Sequence, residues 1–365
     1  MSRALSITPH LNEMTASRTL RSSWLPVLVG LAIGAGCLTS ARAQTPSAPV
    51  AEPVETNDLA NRASGCVVMT HPVGGIDAVR LRTLDGITVR QARIGRPAIL
   101  TVSGPDEEGR IAFIEEDSSA GRYSLKTIKL DGSGEAEIFT RPGSALWDHA
   151  IDGLVLAPRG GRVAFLSQPP ASRRRFAPRI TVGELEIWDL AAKTGRETGI
   201  RTLNWQLSWF PDGKRLVYAQ PNERDQPVPR KILNTESGQS DGWPIGFAMA
   251  VSTDGRTALI DLGRAGYSKL DVATGTLTPT HIPRNFHGDW VRGPLALIGD
   301  DVLLYRANPP RDVAPKLTEN NSPFVGPKAM LSLKLAELSS GRFQTVVADL
   351  DPRTSVSFGG VDACH

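Results

Sequence analysis

The chain has 365 residues and a formal net charge of +3, from 41 Lys and Arg against 38 Asp and Glu. Four of those arginines and one glutamate lie in residues 1–43, so the remainder carries 37 residues of each sign and no net charge. That balance excludes the basic footprint of a nucleic-acid-binding domain.

The first 43 residues read as an export signal. Arg18 and Arg21 precede the 15-residue apolar stretch WLPVLVGLAIGAGCL (Trp24–Leu38), and Ala41-Arg42-Ala43 supplies a small-x-small cleavage site before Gln44. The stretch is shorter than the roughly 20 apolar residues of a membrane span, so no transmembrane segment is expected once the signal is removed. Cys37 offers a lipoprotein alternative, disfavoured because Gly34 stands where an aliphatic residue is usual. Residues 44–65, QTPSAPVAEPVETNDLANRASG, hold little to bury and read as a flexible linker. The remaining 300 or so residues suffice for one large all-β domain or two small ones.

Cys66–Ala92 (CVVMTHPVGGIDAVRLRTLDGITVRQA) opens with an apolar run and a hairpin around Asp85-Gly86. A stronger module follows. In LSWFPDGKRLVYAQ (residues 207–220), two alternating runs flank Pro211-Asp212-Gly213. Pro presets the first turn dihedral, Asp favours the second position and Gly tolerates the left-handed conformation after it, so this is a tight antiparallel hairpin. Four other stretches align on it: LTVSGPDEEGRIAFIEE, LVLAPRGGRVAFLS, MAVSTDGRTALID and LALIGDDVLLYRA. Their landmarks Phe113, Phe165, Tyr218, Ile260 and Tyr305 are spaced by 52, 53, 42 and 45 residues, the period of four-stranded propeller blades. Each unit supplies a second hairpin with a Gly turn (YSLKTIKLDGSGEAEIF, ELEIWDLAAKTGRETGI, KILNTESGQSDGW, GYSKLDVATGTLTPT, MLSLKLAELSSGRFQTVV).

Five full units are thus visible, and the ends complement one another. Cys66–Ala92 lacks an innermost strand, while TSVSFGG (Thr354–Gly360) is a lone strand without a partner. Joined, they give the split first blade of a six-bladed β-propeller spanning 66–365, with no open sheet edge. Cys66 and Cys364 would then sit where that blade lacks its inner turn. A disulfide there, closing a span of 298 residues, would stabilise by roughly 4–5 kcal/mol. Two unpaired thiols are the alternative.

The LSWFPDGKRLVYA pattern with a strand-rich unit after it resembles the propeller repeat of the TolB family. Other units are degraded, with Arg159-Gly160-Gly161 in the third blade, Thr253 in place of Pro in the fifth and Asp300-Asp301 in the sixth. The resemblance implies a periplasmic propeller that binds something with its loop face. The α/β domain that precedes the propeller in TolB is replaced here by the short 44–65 segment.

The connections between second and third strands are long: residues 168–181, 221–231 and 306–329. Long loops concentrate function, so the loop face is where binding is expected. Trp147, Trp205, Trp243 and Trp290 each lie shortly before an innermost strand, where indoles offer flat apolar area for sugar faces or peptide side chains. Wedging neighbouring blades together is the preferred alternative for these four. His149 in WDHAID and His287 in HGDW stand beside Asp148, Asp152 and Asp289, a composition compatible with acid–base or metal chemistry. They belong to blades three and six, on opposite sides of the ring, and structural roles are the better reading; His71 and His281 lie elsewhere in the repeat. Arg173, Arg174 and Arg175, with Arg179, form a basic cluster able to grip an anion or simply to be solvated. Gly238–Gly242 fits G-x-S-x-G but falls in a β-hairpin turn rather than a strand-to-helix elbow, so the match is chance.

The expectation is a monomeric, exported, non-catalytic protein- or glycan-binding module of the cell envelope, with no cofactor, metal or nucleic acid. A hydrolase or lyase acting on a polysaccharide or peptide at the channel mouth is the alternative.

Overall fold

Alternation in the apolar runs becomes strand pairing along the whole repeat. The structure, a computed structural model, describes residues 54–71, 74–91, 98–145, 151–167, 182–203, 207–221, 230–243, 247–262, 266–282, 290–307, 330–351 and 354–360. All of them fall in the unit Pro49–His365. The expected export signal lies outside the described residues.

A single helical turn, α1 (Leu59–Arg62), precedes the strands β1 (Cys66–Thr70), β2 (Ile76–Arg80) and β3 (Gly86–Arg90). Blade two follows as β4 (Ala98–Val102), β5 (Arg110–Asp117), β6 (Arg122–Lys129) and β7 (Ala136–Pro142). Blade three is β8 (Asp152–Leu156), β9 (Arg162–Ser167), β10 (Val182–Asp189) and β11 (Thr194–Leu203). Blade four is β12 (Ser208–Trp209), β13 (Arg215–Tyr218), β14 (Lys231–Asn234) and β15 (Ser240–Gly242). Blade five is β16 (Phe247–Val251), β17 (Thr257–Asp261), β18 (Tyr267–Asp271) and β19 (Leu277–Pro279). Blade six is β20 (Trp290–Ile298), β21 (Val302–Ala307), β22 (Leu331–Glu337) and β23 (Phe343–Leu350), and β24 (Val356–Gly359) is the last described strand.

These strands form six four-stranded antiparallel sheets. Five are sequential, and the sixth has the order β24-β1-β2-β3. Cys66 pairs with Gly359, Val67 with Phe358, Val68 with Ser357 and Met69 with Val356, so the C-terminal strand is the innermost strand of blade one. The closure expected from the surplus strand at one end and the deficit at the other is therefore observed, and with it the six-bladed propeller.

The core is not one mass. Six apolar clusters each draw on two adjacent blades, and together they run round the ring. Period-2 alternation explains this: the two faces of each blade meet different neighbours, and both must be apolar. In β9 and β17, for example, every residue between the ends is buried.

The Pro211–Gly213 turn shows how the inner rim is built. Asp212 Oδ1 accepts from the backbone N–H groups of Lys214 (2.9 Å) and Arg215 (3.1 Å), and Arg215 Nε donates to Asp212 Oδ2 at 2.7 Å. The Arg215 guanidinium lies 4.1 Å from the centre of the Phe210 ring. Gly213 has φ +65° and its missing Cβ would stand 2.0 Å from the Arg159 carbonyl oxygen, so glycine is needed both for the turn and for the contact with blade three. Similar contacts link other inner turns. Glu107 N–H donates to Pro158 C=O at 3.0 Å, and Thr253 N–H donates to Leu297 C=O at 2.9 Å. The G-x-S-x-G match is confirmed as a hairpin, with Gly238 at φ +74° and Ser240–Gly242 forming β15.

The structure departs from the expected 44–65 linker over its second half. Glu55 forms a parallel bridge to Phe343, Thr56 N–H donates to Phe343 C=O at 2.8 Å, and Ala60 N–H donates to Gln344 Oε1 at 2.7 Å. Leu59, Ala60 and Ala63 are 0%, 3% and 1% exposed, wedged in the seam between blades six and one. Mean composition misjudged this stretch because three small or aliphatic side chains on one face of a single turn suffice to bind it. Arg62 and Arg342 then clamp the buried Glu337, Arg342 through Nε at 2.8 Å, and Arg342 also reaches Asp58 at 3.4 Å.

Candidate functional site

The innermost strands β4, β8, β12, β16, β20 and β24 all contribute to the wall of one axial cavity of about 390 Å³. Polar and apolar surface share that wall almost equally, and its apolar part includes Leu154, Leu156, Trp209, Met249, Val251 and Phe358. Its hydroxyls are largely committed to the fold. Thr101 Oγ1 and Ser355 Oγ lie 3.3 Å apart, Ser252 Oγ donates to Asp254 Oδ1 at 2.6 Å, and Thr253 Oγ1 accepts from Gly299 N–H at 3.2 Å.

Charge is distributed unevenly along the axis. At the end lined by the tight inner turns, Asp106 is 2% exposed and saturated. Its Oδ1 accepts from the N–H groups of Glu108 (3.0 Å) and Arg110 (2.9 Å), and its Oδ2 from Arg110 Nε at 2.9 Å. Glu107 pairs with Arg159 at 3.1 Å, both well exposed. The two lining carboxylates therefore have cations of their own.

Arg230 and Arg306 stand elsewhere on the wall, Arg230 just before β14 and Arg306 near the end of β21. Both flank second-to-third-strand connections, which places them toward the loop face. They are 2% and 3% exposed. Arg230 Nη2 donates to the Met249 carbonyl at 3.4 Å, a long contact, and no carboxylate pairs with this guanidinium among the described residues. Burial alone pulls its pKa down to about 9, which leaves it charged at neutral pH.

The residues singled out from sequence distribute otherwise. Trp147, Trp205, His149, His287, Arg173, Arg174, Arg175 and Cys364 lie outside the described residues, as do Asp148 and Asp289. Trp290 opens β20, its backbone paired with Ala307. Trp243 is 6% exposed and packs with Phe210 and Val217 of blade four and Val251 and Ala258 of blade five, in the wedging role, away from the cavity wall. His71 Nε2 contacts Asp77 Oδ2 at an exposed position, and His281 is also exposed. Among the described residues no group of three or more His, Cys, Asp or Glu is placed to hold a metal ion. No helix among them is long and apolar enough to cross a membrane.

Sequence reasoning passed over Arg230, Arg306 and Trp209. Trp209 is 7% exposed and donates from Nε1 to Val155 C=O at 3.2 Å, tying blade four to blade three at the cavity. Arg306 carried a usable signal: it interrupts VLLYRA, a strand buried at every position. Arg230 carried none, since it closes a loop rich in charged and Pro residues.

No family model and no curated protein matches the chain. Solved structures do resemble it. A protein assigned as TolB from Agrobacterium tumefaciens aligns at 13% identity and TM-score 0.46, covering 81% of this chain and 98% of that one. A chain of a nidogen/laminin complex aligns at 12% and 0.47, covering 80% and 97%. An oligogalacturonate lyase in complex with manganese aligns at 15% and 0.44, covering 75% and 74%. At these identities the likeness concerns the propeller fold and leaves activity open.

Proposed function

We propose that the chain is an exported, TolB-like propeller acting as a non-catalytic binding module of the cell envelope, which admits part of a protein partner into its axial cavity. One observation carries this reading: an axial cavity of about 390 Å³, within the size range of ligand sites, whose wall joins apolar side chains to a buried guanidinium with no carboxylate partner among the described residues. The wall also argues for a protein rather than a glycan, because four of its hydroxyls are engaged with one another, with the Asp254 carboxylate or with turn backbone. A saccharide needs many such groups free.

Export and a disulfide between Cys66 and Cys364 belong to the same proposal. In support, Cys66 is fully buried and disulfide-bonded, and pairs with Gly359, five residues before Cys364. The export reading requires the mature N terminus to be Gln44, which N-terminal sequencing checks.

Ser208 lines the cavity and is half-buried, so Ser208→Trp obstructs the cavity. Crosslinking in native periplasm followed by mass spectrometry should recover a protein with the wild type and lose it with Ser208→Trp. Equal recovery by both, at equal stability, refutes the proposal.

A further inference from the structure

Among the described residues the Arg230 guanidinium uses one of its five donors, at 3.4 Å, on a carbonyl. Isolating such a charge from water without a counter-charge is unfavourable by several kcal/mol in general. The same cavity shows what a satisfied charge looks like: Asp106 accepts three hydrogen bonds of 2.9–3.0 Å from Glu108 and Arg110. Arg306 adds a second buried guanidinium to the same wall. The same wall carries Met249, whose carbonyl Arg230 reaches, and Leu154 and Leu295.

We propose that Arg230 is an anion-recognition residue that binds a carboxylate carried on an apolar body, the charge held by its guanidinium and the body by the aliphatic wall. This rests on the binding-module reading above and names the group that such a partner inserts. A planar fork of N–H donors matches a carboxylate with two parallel hydrogen bonds. Phosphate, with its larger charge and hydration, fits less well among aliphatic side chains. A free peptide C terminus ending in an aliphatic residue and a free medium-chain acid both present the required chemistry.

Isothermal titration calorimetry on the purified chain separates the sources. The probes are N-acetyl-Ala-Val-Leu with a free carboxylate, its C-terminal amide, octanoate, inorganic phosphate and a hexuronate trisaccharide. The acid peptide should bind and its amide should not; binding by octanoate alone assigns the site to a free acid instead. Arg230→Met should weaken the carboxylate by about ten- to a hundredfold, the loss expected for hydrogen bonds to a charged group, and Arg230→Lys should fall between.

A second measurement guards against a misfolded variant. Without ligand, Arg230→Met should unfold in urea at or above the wild-type midpoint, because it removes a buried charge that lacks a counter-ion among the described residues. A lower midpoint marks Arg230 as a packing residue and overturns the inference. So do undiminished binding by Arg230→Met, binding of phosphate or the hexuronate with neither the acid peptide nor octanoate, and binding of no probe. If Ser208→Trp loses the crosslinked partner while Arg230→Met keeps it, the cavity reading stands and the carboxylate inference falls; if both keep it, both fall.

Discussion

Leu59→Ala is the sharpest test of the seam between the first and last blades. Leu59 is fully buried against Ile298, Val302, Leu304 and Leu333 of blade six and Val67 and Leu81 of the segment leading through blade one. Burying a leucine contributes about 1.5–3 kcal/mol, and truncation to Ala leaves a cavity whose lining relaxes only in part, so the expected loss is about 2–5 kcal/mol. Local relaxation is easiest here, because one wall of the site is a single helical turn; the lower half of that range is the specific expectation. Val54→Ala is the control, at a side chain 61% exposed, with an expected change within about 0.5 kcal/mol. Urea unfolding followed by tryptophan fluorescence gives the difference in midpoint. Hydrogen exchange locates it: Thr56 and Phe343 donate 2.8 and 3.0 Å bonds across the seam, and their amides should lose protection in Leu59→Ala while the β9 and β10 amides keep theirs. If Leu59→Ala matches Val54→Ala in both measurements, residues 54–63 are a tether after all, and the packing argument is wrong.

The clamp beside it gives a pH signature. Hydrogen bonds from Arg342, and then from Ser340 and Arg62, outweigh burial and hold the Glu337 carboxyl down at about 2, against an ordinary 4.5. A depressed carboxyl contributes stability that is complete above 4.5 and lost as pH falls toward 2. Arg62 and Arg342 have side chains 44% and 36% exposed, so solvent screening reduces the contribution to about 1–2 kcal/mol. The wild type minus Glu337→Gln difference in urea midpoint should shrink between pH 5 and pH 2; a difference flat across that range refutes the clamp. Reduction of the proposed Cys66–Cys364 bond should destabilise by about 4–5 kcal/mol on the loop-entropy account. Cys364→Ser should reproduce the effect and abolish further sensitivity to reductant, whereas an unchanged midpoint under dithiothreitol sinks the pairing.

Hairpin chemistry made the fold readable from the chain itself. Pro211-Asp212-Gly213 demands a particular turn, the turn demands antiparallel neighbours, and the same grammar survives in Arg159-Gly160-Gly161 and in Thr253-Asp254-Gly255. Ring closure could be inferred because a strand count is conserved arithmetic: Thr354–Gly360 had to pair somewhere, and β1 lacked an inner partner. Leu59 escaped because composition averages over a window, whereas docking needs only a few side chains on one face. Trp243 illustrates a different limit. A tryptophan before an inner strand reaches either the channel or the neighbouring blade, and the choice depends on blade twist, which no local pattern encodes; it goes to the blade.

Arg230 lies beyond sequence reasoning for a deeper reason. In a loop such as PNERDQPVPRK, an arginine is expected to be solvated, and nothing in its neighbours says otherwise. Among the described residues its one side-chain hydrogen bond is to Met249, a residue of the next blade, so its setting is made by blade packing rather than by its own loop. The contrast with Asp106 then becomes informative. Both charges face one cavity, both are 2% exposed, and the fold provides Asp106 with a full set of donors from its own turn. Had neutrality been the only requirement at Arg230, a methionine or leucine would have met it at lower cost. Sequences that agree with their fold at every other level tend to break the rule where something else must bind. The Arg230 cation at the loop-side end of a cavity whose two lining carboxylates are already paired is such a break, and an inserted carboxylate is the counter-charge that would resolve it.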